Sequence, residues 1–207
     1  MHFGQQQMAW SLFERSGERK YLSASERRQF RDAMEAYPPE IRTLCWLMLD
    51  TGCRISEALA LKPKSIDFGG QAIVLESLKK RRRGVYRSVP VSAELLAVLD
   101  ETFGLRKMQK ERASEPLWSW HRMTAYRHIL SVMAAAGVAG PQATPKGLRH
   151  GFAIAALEAG VPMNLVQRWL GHADLATTAI YANAMGAEER HFAAKMWPKS
   201  KEKQPVR

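Results

Sequence analysis

The sequence predicts an α+β fold that is mainly helical, with a small three-stranded antiparallel sheet along one edge. Three observations predict it. Apolar residues recur at helical spacing through most of the chain, in segments bounded by proline and glycine. Between residues 64 and 91 the pattern changes to short extended runs separated by turn residues. No uninterrupted apolar run approaches the ~20 residues of a membrane span.

Residues 1–20 hold few signals: Met8 to Glu14 reads as a short helix and the rest as an arm. Ser25 before Glu26 starts a helix that places Phe30, Met34 and Tyr37 near one face. Pro38-Pro39 ends it and opens the next, because proline at the first helical turn loses no hydrogen bond. Ile41, Leu44, Cys45, Leu47, Met48 and Leu49 make that second helix apolar on most sides, hence central, and Gly52 caps it. A short helix then covers Ile55 to Leu61, with Arg54 at its start.

Lys64 to Phe68, Gln71 to Leu78 and Val85 to Val91 read as the three strands. Gly69-Gly70 is a tight hairpin turn. The second turn is the run Lys79-Lys80-Arg81-Arg82-Arg83 with Gly84, so Lys79 ends a strand and the arginines occupy an exposed tip. Ser92 caps a helix to about Phe103; residues 104–120 are polar and carry no assignment. Thr124 to Ala136 is a helix stopped by Gly137, and Pro141 to Thr144 a loop. Thr144-Pro145 reads as N-cap and first position of a helix ending at Ala159-Gly160. Pro162 to Leu170, Leu175 to Tyr181 and Gly186 to Met196 complete the helices, and a polar tail closes the chain.

At 207 residues the chain can form one generous domain or two small ones. No stretch near its start has signal-peptide character, which places the chain in the cytoplasm and off the membrane. Cys45 and Cys53 cannot build a disulfide framework, and no Cys/His spacing suits zinc. The net charge of +11 points to a polyanionic partner. The basic run from Lys79, followed by Arg87, is suited to a nucleic-acid groove; alone, such a run is also compatible with a solvated loop.

The residues that carry chemistry come in an ordered series. Arg54 lies in Thr51-Gly52-Cys53-Arg54-Ile55-Ser56-Glu57-Ala58-Leu59. Later come Lys146-Gly147-Leu148-Arg149-His150, Leu170-Gly171-His172 and Tyr181. Guanidinium forks bind two phosphate oxygens and stay charged at working pH. A tyrosine can attack phosphorus, while lysine and histidine hold and move protons. Together these are the groups needed to cleave a phosphodiester without a metal. Lys146 and Arg149, three apart, share one face of a helical first turn whose free N–H groups favour an anion. Glu57, one turn after Arg54, is placed to hold that guanidinium.

This series resembles the catalytic domain of the tyrosine recombinase (phage integrase) family. Its signature is arginine, a β-hairpin lysine, His-x-x-Arg, His or Trp, then tyrosine. Those positions fall on Arg54, Lys79, Lys146 with Arg149, His172 and Tyr181. The stretch Leu170 to Tyr181 is the most specific piece, and Lys146 stands where the family usually has histidine. The resemblance implies DNA cleavage and rejoining through a 3′-phosphotyrosyl ester, with no cofactor. In that scheme Tyr181 is the nucleophile, Arg54 and Arg149 neutralise the phosphate, and His172 hydrogen-bonds it. Lys79 protonates the 5′ leaving oxygen, with Lys80 as the rival in the other strand register. Lys146 shares proton transfer or binds phosphate; Glu57 and His150 stand behind the site. Lys80, Arg81, Arg82, Arg83 and Arg87 are the expected DNA contacts.

The implied layout is an N-terminal arm over 1–20, a catalytic domain over 21–197 and a disordered basic tail over 198–207. Most family members carry an additional N-terminal DNA-clamping domain. The short arm suggests a catalytic-domain-only member that leans on an accessory DNA-binding protein. Double-stranded DNA is the expected partner, with a tetramer on DNA and a monomer or weak oligomer when free. The rivals are a catalytically silent DNA-binding regulator of the same fold, a type IB topoisomerase-like relaxing enzyme, and an RNA-binding protein.

Overall fold

The computed structural model describes residues 12–77, 84–173 and 176–181. The expected helix over Gly186 to Met196, the tail and the run Lys79 to Arg83 lie outside the described residues. Of the expected short helix at Met8 to Glu14, residues 8–11 also lie outside. Residues beyond them form a small loop closed by a bridge between Phe13 and Arg19, with Leu12 buried.

Helix α1 spans Ala24–Met34 and starts one residue after Ser23, earlier than Ser25. The reason is a reciprocal capping box. The Ser23 hydroxyl accepts from the Glu26 N–H, and the Glu26 carboxylate accepts from the Ser23 N–H at 2.8 Å. That carboxylate also pairs with Arg19 and accepts from Gln142, tying α1 to a loop far along the chain.

Helix α2, Pro39–Thr51, is the central element, as its apolar girth predicts. Leu44, Cys45, Leu47 and Met48 expose no surface, and each such aliphatic side chain contributes roughly 1.5–3 kcal/mol by leaving water. Gly52 ends α2 with φ of 59°. A Cβ there would lie 2.4 Å from the Phe152 ring, so only glycine both turns the chain and fits. Helix α3 is short, Ile55–Leu59.

The sheet has the predicted order and direction: β1 (Ile66–Asp67), β2 (Ala72–Glu76) and β3 (Tyr86–Pro90), antiparallel throughout. The first turn departs from the expected two-residue Gly-Gly hairpin. It runs from Phe68 to Gln71, with the Gly70 N–H donating to the Asp67 carboxylate at 2.8 Å, and the left-handed residue is Gln71 at φ 48°. Leu75 pairs with Arg87 and Ile73 with Val89, so Arg87 and Val89 share the inward face of β3.

Helix α4 (Ala93–Phe103) is capped by Ser92, and α5 (Leu105–Glu111) occupies part of the stretch without a sequence assignment. Its Leu105 is fully buried, and Gln109 donates to the Pro63 and Ile66 carbonyls, each at 2.9 Å. Helix α6 runs Arg122–Ala135, beginning two residues before Thr124 because His121 caps it. Helix α7 is Pro145–Glu158, and its N-cap Thr144 accepts from the Gly147 N–H at 3.0 Å. Helix α8 (Met163–Leu170) ends at Gly171, and α9 (Ala176–Ala179) precedes Tyr181.

Most helices and the sheet share one core around α2. A second apolar cluster joins Leu12, Phe152, Ile154, Val166, Leu170 and Tyr181 beneath α7 and α8. Helix α2 packs against α7, α3 against β2, and α8 against β3. The ends of α2 and α8 and the starts of α3 and α7 therefore meet.

Candidate active site

Arg149 lies in the second turn of α7 and is buried among helix ends. One terminal nitrogen donates to the Gly52 carbonyl and the other to the Leu170 carbonyl, both at 2.7 Å. These are carbonyls at the C-terminal ends of α2 and α8, where the helix dipole is negative. Two helix ends thus hold one cation rigidly. Burial and the neighbouring Arg54 charge bring its pKa down to about 10, against the opposing pull of Glu57; it remains charged at neutral pH.

Arg54 is the N-cap residue of α3 and stays partly open, with 31% of its side chain exposed. Its backbone N–H donates to Glu57 at 2.9 Å and its guanidinium donates to the same carboxylate at 2.8 Å. Arginine cannot accept in return, so this is half a capping box, with the carboxylate also serving as a side-chain anchor.

Glu57 is almost fully buried, and its second partner is Arg87. The Arg87 fork donates to both carboxylate oxygens, at 2.6 and 3.2 Å. Its Nε–H donates to the Trp169 carbonyl at 2.6 Å. Burial pushes the Glu57 carboxyl up, but hydrogen bonds and charge from Arg87, then the Arg54 N–H and charge, more than reverse it. Its pKa sits below the ordinary carboxylate range, and it stays ionised. Arg87 thus corrects its expected place among the exposed DNA contacts: its side chain is 6% exposed and its fork is committed to Glu57. The alternation of β3 decides this, since a strand that buries Val89 turns Arg87 to the same face.

Tyr181 is 1% exposed. Its hydroxyl is hydrogen-bonded to His150 Nδ1 at 2.9 Å, and His150 adjoins Arg149 on α7. Burial pushes the phenol up to about 12, while Arg149 and Arg54 pull the other way. Burial first, then the charges of Lys146, Arg149 and Lys20, bring His150 down to about 3, so its ring is neutral at pH 7. The His172 ring stacks on Tyr181 with centroids 6.3 Å apart, and its Nδ1 is hydrogen-bonded to the Thr178 hydroxyl at 3.0 Å.

Lys146 is exposed at the start of α7. With Lys20, Arg122, Tyr126 and Thr144 it lines an open cleft of about 320 Å³. Arg54, Arg149, Glu57, His150, His172 and Tyr181 therefore gather in one place, with Lys146 on its outer edge. Lys79, Lys80, Arg81, Arg82 and Arg83 lie outside the described residues. Sequence reasoning missed the Arg87 fork and the Thr178 hydroxyl. It also missed the backbone carbonyls of Gly52, Trp169 and Leu170, which no side-chain pattern signals.

Cys53, beside Arg54, is fully buried, and burial raises its thiol to about 11, which leaves it protonated and inert at neutral pH. Among the described residues no three His, Cys, Asp or Glu side chains are grouped to hold a metal, and no helix is long and apolar enough to cross a membrane.

Residues 20–188 match the model of the phage integrase family. Tyrosine recombinase XerA of Thermococcus onnurineus is 30% identical over 169 residues, covering 75% of this chain and 56% of that protein. Tyrosine recombinase XerD of Rhizobium meliloti is 30% identical over 159 residues, covering 72% of this chain and 48% of its own length. The chain thus spans about half the length of these relatives. Among solved structures, a XerA recombinase superposes with a TM-score of 0.71 at 26% identity, over 87% of this chain and 66% of that one. The catalytic domain of bacteriophage HP1 integrase superposes with a TM-score of 0.61 at 22% identity, over 89% of this chain and 98% of that domain.

Proposed function

The chain belongs to the phage integrase family, and from that premise we propose that it cleaves and rejoins double-stranded DNA at specific sites through a 3′-phosphotyrosyl intermediate. The observation that carries this reading is the junction at the start of α7, where Arg149 is held by carbonyls at two helix ends and the adjoining His150 is hydrogen-bonded to the Tyr181 hydroxyl at 2.9 Å. Arg54 and Arg87 share the buried Glu57 carboxylate while Arg149 is held by neutral carbonyls, so these three guanidiniums face a single anion and leave an excess of positive charge. A phosphodiester anion supplies the missing counter-charge.

In this reading Arg54 and Arg149 bind the non-bridging oxygens, where charge accumulates as phosphorus is attacked. The Tyr181 oxygen forms a bond to phosphorus as the bond to the 5′ oxygen breaks. The phenol proton passes to His150 Nδ1, already within hydrogen-bond distance. Burial, then the charges of Lys146, Arg149 and Lys20, oppose protonation of that ring, and bound phosphate offsets the charges. The departing 5′ oxygen takes a proton from Lys79, and His172 steadies the phosphate. Rejoining runs these steps backward. The ester is close in free energy to the bond it replaces, so the cycle needs no nucleotide. The basic run Lys80 to Arg83 supplies groove or backbone contacts. Exchange between two duplexes takes four such sites, hence a tetramer on DNA.

The test is covalent trapping. The chain is mixed with nicked duplexes tiling the DNA that flanks its gene, then denatured in detergent. An adduct that disappears in Tyr181→Phe supports the reading. Salt-sensitive DNA binding with no adduct on any flanking duplex counts against it and favours the regulator.

A further inference from the structure

We infer that Arg87 is a positioning residue of the cleavage reaction: it holds Glu57, and through Glu57 the phosphate-binding Arg54, while also fixing the turn that leads to His172. The inference rests on the reading above and reassigns a residue that the sequence places with the DNA contacts.

Three separate elements end on this one side chain. Arg87 stands on β3, the strand that returns from the basic hairpin turn. Its fork holds both oxygens of Glu57 on α3, and Glu57 in turn grips Arg54 by backbone and guanidinium. Its Nε–H ends on the Trp169 carbonyl in the last turn of α8, three residues before His172. At Gly171 a Cβ would lie 3.1 Å from the Arg87 side chain, so the glycine that ends α8 also leaves room for the guanidinium.

A buried carboxylate with a single arginine partner could rotate with it. Two guanidiniums, Arg54 on one oxygen and Arg87 on both, remove that freedom, and the planar fork fixes the carboxylate plane. Arg54 is then presented in one orientation before DNA arrives. Such preorganisation matters because a cation displaced by about 1 Å can cost on the order of 100-fold in rate. Lysine in place of Arg87 keeps the charge facing Glu57 but cannot span two oxygens and a carbonyl.

The experiment uses the flanking duplex on which the wild-type chain forms its adduct. Single-turnover cleavage is followed at saturating DNA across pH, with DNA affinity and thermal midpoint measured alongside, for Arg87→Lys and Arg87→Met. Both variants are expected to bind DNA as wild type does and to cleave on the order of 100-fold more slowly. Arg87→Met also gains an acid limb. With its main counter-charge gone, burial raises the Glu57 carboxyl, so the rate falls on the acid side, where the wild-type profile lacks that limb. Arg87→Lys keeps a charge there and lacks most of that limb.

Wild-type rates and pH profiles in both variants overturn the positioning role and leave the functional reading standing. No wild-type adduct on any duplex overturns the functional reading, and this inference with it. An Arg87→Lys chain that does not fold assigns Arg87 to stability alone and likewise overturns it.

Discussion

At the residue scale, Arg149 shows how a buried charge is held by backbone. Its two bonds to the Gly52 and Leu170 carbonyls use the fork of a guanidinium. A lysine amine cannot reach both. Arg149→Lys is therefore expected to keep its fold and to lower single-turnover adduct formation by about 100- to 1000-fold. His150 carries a prediction of a different kind. Its folded pKa of about 3 lies below the ordinary 6.5, so protons favour the unfolded chain between those values. Its contribution to stability is complete above about pH 6.5 and is lost as pH falls toward 3. Thermal midpoints measured over that window should fall steadily, and less steeply in His150→Gln. Which residue types form the site was legible in the sequence. How they share partners was not. Arg87 looked like one more member of a basic run, and only the β3 register turns it inward, opposite Leu75.

At the element scale, local signals located the helices well wherever capping chemistry was explicit. Thr144-Pro145, Gly52, Ser92 and Gly171 all mark real ends. Errors came where two signals competed. Ser23 and Ser25 both precede Glu26, but only Ser23 is three residues before it, as a reciprocal box requires. Helix α5 escaped because its polar surface hides a single inward Leu105, and its docking on Pro63 and Ile66 is a tertiary event. The start of α7 carries both Lys146 and Arg149, so its cap bears on the candidate site. Thr144→Ala removes the bond to the Gly147 N–H and should cost about 1 kcal/mol, read as a small drop in thermal midpoint. Gly147→Ala should be worse, because a Cβ there would fall 1.8 Å from the Gln142 carbonyl oxygen, backbone that has little room to move. Equal midpoints for the two variants would show that the close approach is not rigid.

At the scale of the whole molecule, charge and core answer different questions. In the proposed reading the net charge of +11 governs encounter with DNA, whereas the site needs only a few fixed cations. Binding to a long duplex should weaken steeply with salt, with a log–log slope of about −0.9 per phosphate neutralised. Lys146→Ala should reduce that slope by about one, measured by fluorescence anisotropy across salt concentrations. An unchanged slope would place Lys146 away from the backbone. The sequence by itself determined the helix-rich class, the antiparallel sheet and the order of the chemistry-bearing residues, because periodicity, caps and turns are short-range. Only the tertiary structure decided that Arg149 is held by two helix ends, that Tyr181 lies buried against His150, and that Arg87 faces Glu57. Each of these joins residues distant in the chain. Their partners, backbone carbonyls for Arg149 and side chains from other elements for Tyr181 and Arg87, come together as a site only once the helices and the sheet meet.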